Sequence, residues 1–79
     1  MGNEVDITSK LQDAKSALGK NVRRMREETG LSQEDLGLMI QADQAYISRL
    51  ERGILNPTLQ SLVELSIALN TDLKTLLNN

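Results

Sequence analysis

Leu31–Gly53, LSQEDLGLMIQADQAYISRLERG, is the stretch from which the rest of the chain can be read. Ser32 stands where a helix N-cap belongs, and Asp35 follows three residues later, a capping box with Asp in place of the usual Glu or Gln. Leu36, Met39 and Ile40 then recur at helical spacing and predict the buried edge of a short helix. Gln41-Ala42-Asp43 forms the connection, and Asp43 is a good N-cap for a second helix. In that helix Ile47 and Leu50 face inward, Glu51 lies near the same edge, and Gly53 ends it. The opposite face carries Ala45, Ser48, Arg49 and Arg52.

The flanks extend this pattern. From Thr8 onward Leu11, Leu18, Val22 and Met25 share one stripe, which predicts a helix from about Ser9 to Glu28, continuous or broken near Gly19. Glycine inside a helix costs roughly 1 kcal/mol relative to Ala. Gly30 is placed to end this helix as a left-handed cap. Residues 1–7 lack a clear pattern, so 1–17 read as an N-terminal extension, partly helical or disordered, ahead of a domain at 18–77. Downstream, Pro57 disfavours helix at Asn56, and Thr58 caps a helix from about Leu59 to Leu69. Leu62, Val63, Leu65, Ser66 and Leu69 lie on or near its buried side. After Asn70-Thr71-Asp72 a short final helix carries Leu73, Leu76 and Leu77. No segment shows an alternating run of β-branched residues. The expected fold is all-α, a compact five-helix bundle.

Composition narrows the function classes. Seventy-nine residues suit one small domain, with no Phe or Trp and a single Tyr, so aliphatic side chains must fill the core. With no Cys and no His, neither a disulfide nor a convincing metal site is expected, and no cofactor. Nothing suggests a nucleophile–base pair or a phosphate-cradling glycine loop, so an enzyme is not expected. The absence of a long apolar run and of a signal-like N-terminus predicts a soluble, cytoplasmic protein. Net charge is −2 and the pI is near 5.0, which taken alone argues against a nucleic-acid partner. Distribution matters more than the sum. Six of the nine basic residues, Lys20, Arg23, Arg24, Arg26, Arg49 and Arg52, fall in the first and third predicted helices, and local clustering can bind phosphate.

Ser32-Gln33-Glu34-Asp35-Leu36, followed by Ile47-Ser48-Arg49-Leu50-Glu51-Arg52-Gly53 and Asn56-Pro57, resembles the Cro/repressor-type helix-turn-helix family, also called the xenobiotic-response-element family. The resemblance covers roughly Leu18 to Leu77, with the motif at 33–52. It implies a lambda-repressor-like DNA-binding domain, and a transcriptional regulator, repressor or controller, acting as a homodimer on a pseudo-palindromic operator in double-stranded DNA.

The roles it implies follow residue by residue. Gln33 contacts the phosphate backbone at the start of the second helix. Gln44, Ala45, Ser48 and Arg49 face base edges, where Gln suits adenine, Arg suits guanine and Ala suits a thymine methyl. Arg52, Tyr46 and Asn56 are candidate phosphate contacts, although Tyr46 equally suits packing against a neighbouring helix and Asn56 suits ordering its own turn. Arg26 and Glu51 form a structural salt bridge that ties the first helix to the third. Leu73, Leu76 and Leu77 belong either to the monomer core or to a two-fold interface, which Val5, Ile7 and Leu11 could join. Two positions depart from the family pattern. Gly37 replaces the usual Ala, and Gln41 stands where Gly is frequent, so a positive φ there would carry a cost. A competing reading keeps the fold but makes the chain a protein-binding module, such as an antitoxin or coactivator.

Overall fold

The computed structural model describes residues 3–78, with side chains from Asp6 onward. Five helices follow in order: α1 Asn3–Glu28, α2 Gln33–Met39, α3 Gln44–Glu51, α4 Leu59–Ala68 and α5 Leu73–Leu76. Their starts are set by side chains that accept from the orphan N–H groups of each first turn. Ser32, Asp43, Thr58 and Asp72 each accept a hydrogen bond from the backbone N–H three residues on. At Ser32 the bond is reciprocal, since Asp35 Oδ2 accepts from the Ser32 N–H at 3.0 Å.

The ends share one device. After each of the first four helices a residue turns left-handed: Gly30, Gln41, Gly53 and Asn70 have φ of 76°, 58°, 76° and 54°. The next N–H then bonds back across six residues, as Leu31 to Arg26, Ala42 to Gly37, Ile54 to Arg49 and Thr71 to Ser66. Gln41 therefore does adopt the conformation that L side chains resist.

Leu18, Val22 and Met25 of α1 meet Leu36, Ile40, Ile47, Leu50, Leu65, Leu69 and Leu76 in one buried cluster, with Leu31, Tyr46 and Leu62 packed against it. Gly19 explains how α1 lies so close to α3. A Cβ at Gly19 would sit 2.6 Å from the carbonyl oxygens of Leu50 and Glu51. The helix runs through this glycine without a break, so the propensity cost is accepted where a methyl group has no room.

Several sequence expectations shift. Helix α1 begins at Asn3 and not near Ser9, so residues 3–17 of the extension continue the first helix, while residues 1–2 lie outside the described residues. Met39 is exposed, because α2 turns Gly37, not Met39, toward the α3 start. A Cβ on Gly37 would lie 2.7 Å from the Asp43 carbonyl. Val63 lies roughly 120–160° round the helix from the buried Leu65–Leu69 edge and is exposed. Leu11 continues the α1 stripe beyond the core and is also exposed.

Candidate nucleic-acid interface

Helix α3 sorts its side chains by turn. Ile47 and Leu50 are buried. Gln44, Ala45, Arg49 and Arg52 are exposed, and Ser48 is half-buried between them. These five positions share a face at helical spacing. Tyr46 is half-buried and packs against the core, while Asn56 is exposed in the loop after α3.

The one acidic residue within α3 is withdrawn from that face. Glu51 accepts a forked pair of bonds from Arg26, with Nε at 2.6 Å and the second guanidinium nitrogen at 3.1 Å. Arg26 also donates to the Leu31 carbonyl at 2.8 Å, so its fork joins the end of α1, the start of the motif and α3. Both side chains are nearly enclosed, at 11% and 5% exposure. The Glu51 carboxylate raises the Arg26 pKa above its ordinary value and burial opposes that shift, so the guanidinium keeps its charge.

A chain of amides carries this pair to the surface. Gln33 Nε2 donates to Glu51 Oε1 at 3.0 Å, and Gln44 Nε2 donates to Gln33 Oε1 at 2.9 Å. Each amide nitrogen has a second N–H, and among the described residues Gln44 Oε1 accepts no hydrogen bond. The first side chain of α3 is thus held in place with donor and acceptor capacity left over.

Charge follows the same division. Arg23 and Arg24 pair with Glu27 and Glu28 on exposed turns of α1, at 3.2 and 3.7 Å. Neither Arg49 nor Arg52 takes part in an ion pair among the described residues. A net acidic chain therefore presents a cationic patch on one short helix.

Two positioning residues escaped the sequence reading. Gln12 Nε2 donates to the Gly53 carbonyl at 3.1 Å and pins the end of α3 to α1. Asn21 Nδ2 donates to the carbonyls of Leu76 and Asn78 at 2.9 and 2.6 Å and closes the end of α5. Long polar side chains on a helix surface give no sequence signal of such distant partners. Of the three leucines that suit either the monomer core or a two-fold interface, Leu76 belongs to the core: it is fully buried in its own monomer and offers no surface to a partner. Leu73 is half-buried and Leu77 exposed. Among the described residues no cluster of metal-ligating side chains occurs, and no helix is long and apolar enough to cross a membrane.

The helix-turn-helix family profile matches residues 22–76. The chain belongs to the helix-turn-helix family. Within this family it is similar to an uncharacterized HTH-type transcriptional regulator of Sinorhizobium fredii, 44% identical over 72% of this chain and 74% of that protein. It is also 42% identical to control protein C.SmaI of Serratia marcescens, over 82% of this chain and 77% of the relative. The crystal structure of the restriction-modification controller protein C.AhdI from Aeromonas hydrophila superposes with a TM-score of 0.77, at 31% identity, over 82% of this chain and 94% of that one. The Cro/repressor-type resemblance and the all-α fold are borne out, and this helix-turn-helix chain is a DNA-binding regulator.

Proposed function

We propose that this chain is a controller-type transcription regulator that binds a pseudo-palindromic operator as a homodimer, with α3 of each copy in the major groove. One observation carries the reading. The face of Gln44, Ala45, Ser48, Arg49 and Arg52 carries no acidic residue of α3, because Glu51 is buried against Arg26, and its two arginines take part in no ion pair among the described residues. Arg49 then reaches a guanine edge and Gln44 an adenine edge, while Ala45 and Ser48 let the helix approach closely. Gln33, Arg52 and Asn56 hold phosphates on either side. Tyr46 orients α3 through the core more than it touches DNA. The activity is binding without a chemical step, and its place is with the DNA in the cytoplasm. The likeness to C.SmaI and C.AhdI, named as control and controller proteins, supports a controller role.

A selection from random-sequence duplexes with the full chain tests this. The expected outcome is enrichment of an inverted repeat whose half-site centres lie one DNA turn, about 34 Å, apart. Affinity for the selected site should fall linearly with log salt. A pool that stays random after successive rounds would overturn the proposal.

A further inference from the structure

The stripe of α1 that builds the core does not stop where the core stops. Leu18, Val22 and Met25 are buried, yet Ile7, Leu11 and Ala14 continue the same stripe toward the amino terminus and are exposed, Ile7 at 66%. Asp6, Ser9 and Asp13 lie round the other side of the helix, so this overhang is amphipathic. With 26 residues α1 spans most of the 44 Å long axis of the molecule, against 23 and 20 Å across. At the base of the overhang lies a shallow apolar notch of about 100 Å³, lined by Leu11, Ala14, Pro57, Leu62 and Leu77.

A second unpartnered face occurs on α4, where Leu59, Val63 and Ile67 recur every fourth residue and are 68%, 40% and 74% exposed. Three such side chains present on the order of 200–350 Å² of apolar surface. A stable interface buries roughly 800 Å² on each partner. The α4 stripe is too small alone, and the overhang with its notch adds apolar area on the same chain.

We propose that the amino-terminal overhang of α1, through Ile7 and Leu11, docks on a second copy of this chain and forms one two-fold interface together with the α4 stripe. This element lies outside residues 22–76, the part shared with the family. It rests on the homodimer reading above and assigns that dimer a further contact. A two-fold interface is self-complementary, so each overhang is covered once and neither copy is left with an open edge.

Sedimentation of the full chain across a concentration series tests the assignment, with Ile7→Asp/Leu11→Asp and Val63→Asp beside the wild type. Helical content by circular dichroism follows each variant, and the exposure of these residues predicts that the monomer fold survives. Each variant should raise the dimer dissociation constant at least tenfold. Operator binding by each should shift to a correspondingly higher protein concentration, with the base preference unchanged. An Ile7→Asp/Leu11→Asp chain that dimerises like the wild type would overturn the overhang contact while leaving a dimeric regulator in place. A wild type that stays monomeric and fills half-sites independently would overturn the dimer itself and this contact with it.

Discussion

Gln44 donates a 2.9 Å hydrogen bond to Gln33, so the first side chain of α3 is braced by the first side chain of α2. Gln33 is in turn held by Glu51, the partner of Arg26. The buried ion pair and the reading face are therefore one connected network, with the charge at its inner end and an adenine-competent amide at its outer end.

Gln33→Ala should accordingly have two effects. Loss of its remaining N–H weakens binding to every sequence, by about 1.5–3 kcal/mol for one hydrogen bond to a charged phosphate. Loss of the brace frees the Gln44 side chain, which should relax discrimination at the base pair that Gln44 reads. Affinities for an operator and for its single-position variants separate the two. A purely uniform loss would show that the brace does nothing for specificity.

Breaking the Arg26–Glu51 pair from either side should destabilise the fold by about 3–5 kcal/mol, because one charge is left buried without its counter-charge. The nearly complete enclosure of both side chains places this pair outside the weak regime of surface bridges. Arg23→Ala, which breaks an exposed pair with Glu27, is expected to change stability by less than about 1 kcal/mol. Denaturant unfolding of Arg26→Ala, Glu51→Ala and Arg23→Ala checks the contrast.

Gly19→Ala is expected to destabilise, although Ala is the better helix former by about 1 kcal/mol. The added methyl would meet the backbone carbonyls of Leu50 and Glu51 at 2.6 Å, and backbone cannot step aside as a side-chain end can. Overpacking of this kind costs about 1–3 kcal/mol. A higher melting temperature for Gly19→Ala would show that α1 can move away from α3.

What the residues disclosed, and what they hid, divides along physical lines. Ser32, Asp43 and Thr58 are local signals, since a cap needs only its own next three residues, and the helix starts were legible for that reason. Gly30 and Gly53 marked left-handed ends, whereas Asn70 adopts the same conformation without a glycine to announce it. Met39 was misplaced because periodicity locates an apolar edge but not the angle at which the next helix arrives. Gly37 lets α3 approach on its own side of α2, and that rotates Met39 into solvent. The Arg26–Glu51 pairing came from resemblance, supported by the position of Glu51 near the inward edge. The Gln33–Gln44 brace was not legible, because two surface amides eleven residues apart carry no mark of their contact.

Acid should loosen two helix starts. The Ser32 backbone N–H holds the Asp35 carboxyl below the usual carboxylate range, and the Thr75 backbone N–H does the same for Asp72. A depressed folded-state pKa contributes stability that is fully present above the ordinary value, near 3.9, and is lost as pH falls through the folded value. Stability should therefore hold from neutrality down to about pH 4 with respect to these two groups and decline below it. Asp35→Asn and Asp72→Asn together should flatten that part of the decline in a pH series of thermal melts.

The most direct test of the account is the base preference of Arg49→Ala, measured against a library covering every single-position change in a selected operator. Arg49 is exposed on α3 and takes part in no ion pair among the described residues. The account predicts a loss of about 1–3 kcal/mol of discrimination at one or two base pairs in each half-site, with the other positions read as before. An Arg49→Ala protein with the affinity and base preference of the wild type would contradict the assignment of α3 as the reading helix.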